Sequence, residues 1–168
     1  MAKRSSSINI DLGTLKEDIR KYANNVCRYA ASEIADELTE SAMLSIASFY
    51  TDYTPSSYTR HYYNFMDRSY KRYYSNPHNS IYRGGVEFTP GRMSEIYRQA
   101  SAEEVFGSVM ELGSHGPELY TKVPPMEKSP ITLIREDRDN IVKHLDEYIN
   151  RARAKAKKDS YTTLRFKQ

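Results

Sequence analysis

One cysteine, Cys27, and no tryptophan occur in 168 residues. A single thiol excludes an intrachain disulfide and any site built on a Cys pair, so the chain must fold without covalent staples and can mature in a reducing compartment. Long apolar runs are missing as well. No stretch approaches 18 apolar residues, and the opening MAKRSSSINIDLG has a basic pair with no apolar run behind it. Neither a membrane span nor a secretory signal is therefore expected. Large aliphatics are scarce: Leu, Ile, Val and Phe make roughly 18% of the chain, where highly charged chains tend towards disorder. With Tyr set aside and Gly counted, the apolar fraction is about 34%, against roughly 45–50% in ordinary globular domains. The net charge is only +3, so a folded chain with a thin core is the expectation.

Familiar catalytic signatures are also missing. There is no GxxxxGK phosphate loop, no GxSxG elbow and no HExxH pair. His61, His78, His115 and His144 stand at no metal-ligand spacing, so no catalytic, metal or cofactor residues are expected. The sharpest reactive pair is Glu111 with His115, four residues apart, which as an acid–base couple would describe a small nuclease. The plainer reading gives Glu111 a local partner and puts His115 in a loop shaped by Gly113 and Gly116.

What the chain has in quantity is tyrosine, 15 residues. Tyr offers much contact area with few rotatable angles and suits protein–protein surfaces. A thin core and abundant Tyr together point to burial completed against neighbours, hence an oligomer. Positive charge is gathered near the end: Arg151, Arg153, Lys155, Lys157 and Lys158 fall within eight residues that contain no acid. Such a block complements a helix C-terminus, and its alternative role is phosphate binding. Interleaved Tyr58, Arg60, Tyr62, Tyr63, Arg72, Tyr73 and Tyr74 support the same alternative, a nucleic-acid-binding module that stacks bases. No RNP or helix-turn-helix signature accompanies them.

The order of elements reads as one domain. Residues 1–13 form an N-terminal arm. Thr14 and Glu17 make a capping box for a helix over 14–49, with Leu15, Ile19, Tyr22, Val26, Tyr29 or Ala30, Ile34, Leu38, Ile46 and Phe49 along its stripe. A helix this long usually outruns a small domain, and either breaks near 40–43 or projects towards a partner. Residues 50–100 are Tyr-rich, with strands expected at 69–74 and 80–88 across the turn formers Asn76, Pro77 and Asn79. Gly84 and Gly85 inside the second strand predict a bulge or a close backbone approach. Over 101–129, a second capping box, Ser101 with Glu104, opens a short helix with Val105, Val109 and Leu112 on one face. Gly113 stops it, Pro124 and Pro125 turn the chain, and a strand over 105–112 is the alternative. Ser129 then caps and Pro130 begins a C-terminal helix over 130–158, striped by Ile134, Ile141, Leu145, Tyr148 and Ala152. Asp139 with Lys143 and Glu147 with Arg151 form acid-first i,i+4 pairs on its outer face. Residues 159–168 are a tail. The fold class is α+β: long N- and C-terminal helices packed on a small antiparallel sheet, with an extended Tyr-rich loop.

This order, with Met110-Glu111-Leu112-Gly113-Ser114 followed by Pro124-Pro125-Met126-Glu127-Lys128-Ser129-Pro130, resembles the neck and tail-completion family of tailed bacteriophages. Those small head–tail joining proteins carry a segment of the type Val-Glu-Phe-Gly-Thr, then a Pro-rich stretch, then the last helix. The chain departs from them at 58–69, where the family often has Thr-Gly-x-Leu before a Ser and this sequence has no Gly before Ser69. The resemblance implies a structural, non-enzymatic virion protein, made in the host bacterial cytoplasm. It would form a six- or twelve-fold homo-oligomeric ring between portal-side connector proteins and the tail terminator or tail tube. DNA would pass without sequence-specific binding, and no membrane is involved. Under it, Tyr53, Tyr58, Tyr62, Tyr63, Glu111, Gly113, Pro124, Pro125 and Met126 become contact or joint residues, and the basic end at 151–158 faces an acidic neighbour or the outside.

Overall fold

The computed structural model describes residues 12–51, 69–75, 82–89, 102–114 and 125–164. The chain order is α1 (Leu12–Thr51), β1 (Tyr70–Ser75), β2 (Arg83–Phe88), α2 (Ala102–Phe106) running into a π-helical turn (Gly107–Glu111), α3 (Pro130–Lys143) and α4 (Leu145–Leu164). This is the expected α+β arrangement, long helices at both ends and a two-stranded antiparallel sheet between them.

Helix α1 is unbroken for 40 residues, about 60 Å at 1.5 Å per residue. It contains no Pro, and its one Gly, Gly13, lies in the first turn, so nothing in its interior interrupts the hydrogen-bond ladder. It begins at Leu12, which puts Thr14 inside the first turn rather than at the cap. Burial starts late along it. Residues 13–21 are all exposed, including Leu15 at 44% and Ile19 at 59%. From Ala30 onward Ala35, Leu38, Ala42, Ile46 and Phe49 are buried. The break expected as one outcome near 40–43 does not occur, and the first turns of the helix are exposed.

The core lies on the C-terminal half of α1. Ala42, Ile46 and Phe49 pack with Phe106, Val109 and Met110 of the α2 segment and Ile134 of α3, while Val86 and Phe88 close the sheet side. Leu38, Ile141 and Tyr148 continue this core towards α4. The strands pair in register from Tyr70↔Phe88 to Ser75↔Arg83, and Lys71 faces Glu87 in a 3.2 Å ion pair. The register has no bulge; the glycines of β2 serve close approach. A Cβ at Gly84 would overlap the Ala31 carbonyl of α1, so only Gly lets this strand lie against the helix.

Two apolar assignments and one ion pair shift. Leu112 is 66% exposed, because the turn after Phe106 is wound with Leu112 N–H bonded to Gly107 O at 3.1 Å. That i−5 bond widens the turn and moves the buried face to Phe106, Val109 and Met110, excluding the strand alternative for 105–112. The C-terminal helix is interrupted at His144 (φ −111°, ψ 24°), whose N–H is shared between Asn140 O and Ile141 O and whose Nδ1 lies 2.9 Å from Asn140 O. Tyr148 and Ala152 are buried as expected and Ala156 extends their stripe, but Leu145 beside the break is 41% exposed; the second segment reaches Leu164. Asp139 pairs with Arg138 at 2.7 Å rather than with Lys143.

Candidate functional site

The expected joint is a clasp. Gly113 has φ +60°, a left-handed conformation suited to Gly, and its carbonyl accepts the Met126 N–H at 2.9 Å. Ser114 N–H bonds Ser108 O at 2.9 Å, and Ser108 Oγ donates to Ser114 O at 2.9 Å. Residues 113 and 126 are therefore held together at the edge of the core. A Cβ on Gly113 would press on Met126 Cβ at 3.1 Å and Ser129 Cα at 3.3 Å. Pro125 is exposed, Met126 is half-buried against the main core, and Glu111 is exposed. Ser129 stands at the N-cap of α3 and Pro130 at its first position, as expected. The cap works through the Ser129 carbonyl, which accepts from Thr132 and Leu133 N–H, while Ser129 Oγ sits 3.0 Å from Thr132 Oγ1. Lys128 reaches Glu136 at 2.8 Å, and that hydrogen bond raises the Lys128 pKa.

The basic block 151–158 lies inside α4, whose last turn has no basic residue, so it does not complement the helix C-terminus; it is partly explained within the chain. Tyr29, Glu33, Glu37 and Ser41 stand four residues apart on α1 and meet partners in reverse order along α4 and α3. Tyr29 donates to Asp159; Glu33 takes Arg151 and, at 3.5 Å, Lys155; Glu37 accepts from Tyr148 at 2.5 Å; Ser41 donates to Asp137 at 2.5 Å. Arg151 also lies over the Tyr148 ring at 4.4 Å and 3.9 Å from Glu147. Its hydrogen bond to Glu33 raises its already high pKa. Burial, then the Glu37 hydrogen bond, pushes Tyr148 up to about 12. The acidic neighbour expected for this block is thus, for Arg151 and Lys155, the chain's own Glu33. Arg153 and Lys157 remain exposed, Arg153 reaching only Asn150 at 3.4 Å. Lys158 is exposed too.

Two open grooves flank α3. One, about 390 Å³, lies between α1 and α3 and presents Glu37, Glu40 and Asp137. The other, about 370 Å³, lies between β2 and α3; Leu38, Val86, Phe88, Ile131 and Ile134 line it, with Arg135 and Arg138 beside them. Sequence reading missed both grooves and the counter-ion role of Glu33. The four-residue spacing of Tyr29, Glu33, Glu37 and Ser41 was the available signal for the second.

Tyr53, Tyr58, Tyr62, Tyr63 and Pro124 lie outside the described residues, as do Ser101, Asn76, Pro77, Asn79, His61, His78 and His115, so the Glu111–His115 pair is not within view. His144 is exposed and tied to Asn140 O. Among the described residues, no group of three or more His, Cys, Asp or Glu could hold a metal ion, and no helix is long and apolar enough to cross a membrane. Arg72, in the Tyr/Arg-rich run, is held by Asp36 at 2.5 Å and Ser32 at 2.8 and 3.1 Å and lies over Tyr74 at 5.5 Å. No family model, no curated protein and no solved structure matches the chain.

Proposed function

We propose that the chain is a structural subunit of a phage neck, a ring component that joins the head connector to the tail and extends the DNA channel. The observation that carries this reading is the projection of α1. Nine residues from 13 to 21 stand clear of the body with Leu15 and Ile19 uncovered, a cost in apolar exposure that a subunit recovers by contact with a neighbour. The clasp between Gly113 and Met126 adds a second feature suited to an assembly part, a fixed joint ahead of α3. Its motif context, Met110 to Ser114 and then Pro124 to Pro130, is what resembles the head–tail joining family.

The nucleic-acid-binding alternative draws less support. Arg72, Arg151 and Lys155 are engaged by carboxylates of α1, so fewer cations are left to release counterions from phosphates. Native mass measurement on the purified full-length protein tests the main reading. A closed oligomer that restores joining of separated heads and tails is the expected result. A monomer at every concentration, or one that binds single-stranded DNA with a steep salt dependence, overturns it.

A further inference from the structure

The β2–α3 groove combines three features that together describe an occupant. First, the edge of β2 away from β1 has no strand partner among the described residues. The Thr89 N–H to Ser69 O bond, 2.7 Å, identifies 69↔89 as a hydrogen-bonded pair, so in the antiparallel alternation residues 83, 85 and 87 bond β1. Gly84, Val86 and Phe88 therefore aim their N–H and C=O groups away from β1, towards α3. No backbone group among the described residues pairs with them. Second, the floor beside that edge is apolar, formed by Leu38, Ile131 and Ile134. Third, the α3 wall is cationic. Arg138 shares only its sequence neighbour Asp139, and Arg135 has no ion-pair partner among the described residues.

An occupant of this site is an extended segment with alternating apolar residues and an acid. The chain's own arm has that pattern in Ile8-Asn9-Ile10-Asp11. Strand addition would place Ile8 and Ile10 on the apolar floor, leaving Asp11 near the arginines. Reach decides whose arm it is. The groove lies level with Leu38, 26 residues along an unbroken helix from Leu12, or about 39 Å. Ile8 is four residues from Leu12 and extends at most about 14 Å from it. An arm cannot return to its own groove.

We infer that the β2–α3 groove receives the N-terminal arm, residues 8–11, of a second copy of this chain, which adds as a strand to the edge of β2 away from β1. The projection of α1 then has a purpose, holding the arm out to the neighbour. Each copy offers one arm and one groove, different surfaces, so the contact is head-to-tail and generates a ring when the rotation closes. The inference rests on the self-assembly in the reading above but not on the place of the assembly in a virion.

Cross-linking in a Cys27→Ser background tests it. Ile10→Cys and Ile131→Cys are placed on separate full-length chains, which are mixed and oxidised. The expected product is a linked pair that forms only on mixing. Assembled protein that yields no such link overturns the exchange while leaving the ring reading standing; a chain that stays monomeric overturns both. A second measurement guards against an uninformative cysteine geometry. Ile8→Asp with Ile10→Asp is expected to weaken assembly at least tenfold at an unchanged unfolding midpoint. Asp11→Arg weakens it too, and Arg135→Asp with Arg138→Asp in the same chain restores it. Arm variants that assemble as the parent does, alongside an Arg135→Asp variant that does not, assign the groove to a different segment and overturn the proposal.

Discussion

Gly84 and Gly85 are neighbours in β2 with opposite tolerances. A Cβ at Gly84 runs into the backbone carbonyl of Ala31, which cannot step aside without unwinding α1, whereas one at Gly85 meets only Leu38 Cδ1 at 3.9 Å. Gly84→Ala should therefore cost at least about 3 kcal/mol, the upper end of overpacking costs, while Gly85→Ala stays within about 0.5 kcal/mol. Urea unfolding of the two variants checks the contrast. Gly113→Ala carries a conformational penalty of about 1–2 kcal/mol from its φ of +60°, increased by the close Met126 Cβ. Gly107→Ala, whose Cβ would meet only Glu111 Oε2 at 3.9 Å, is the matched control and should lose little. At this scale the sequence was legible where a glycine sat inside an otherwise regular pattern. Which of two adjacent glycines mattered was not, since that depends on where Ala31 lies across the helix–strand contact.

The docking of α4 on α1 belongs to the scale of elements. Small Ala152 and Ala156, both fully buried, let the helices approach, and the ladder from Tyr29 to Glu37 sets their antiparallel register. Tyr148 gives that contact a pH signature. Its hydroxyl stays protonated in the folded chain up to about 12, against about 10 for an unperturbed Tyr. A raised folded pKa contributes stability that is whole below pH 10 and is lost as pH climbs from 10 to 12. Unfolding free energy measured across that window should fall more steeply for the parent than for Tyr148→Phe; equal slopes would count against the assignment. The interruption at His144 had no sequence signal, because neither Gly nor Pro marks it. Beside it Leu145, in phase with Ile134 and Ile141, is exposed, while Tyr148 and Ala152 further along the same stripe stay buried.

For the whole molecule, the main consequence is an uncovered end. Leu15 and Ile19 touch too little of the body to stabilise it, so Leu15→Glu with Ile19→Glu should leave the unfolding free energy within about 0.5 kcal/mol of the parent. The same variant should lower the assembled fraction, read by native mass. A large loss of stability would mean that these side chains pack within the subunit instead. Charge tells the same story in reverse: Arg151 and Lys155, which in sequence look available to a partner, are paired with Glu33 of the same chain.

Sequence alone determined the elements and their punctuation: the long Pro-free α1, the glycine-bearing strand, the stop at Gly113, and the restart at Ser129 and Pro130. These are local matters of backbone freedom and side-chain period, and neighbouring residues decide them. Only the tertiary structure decided which side of each element is used. It brought residues more than 100 positions apart into the Glu33–Arg151 and Glu37–Tyr148 contacts, closed 113 against 126, and set the edge of β2, unpaired among the described residues, beside Arg135. Such pairings depend on how helices cross and where a strand can lie, and a one-dimensional pattern carries the face of an element but not its neighbour.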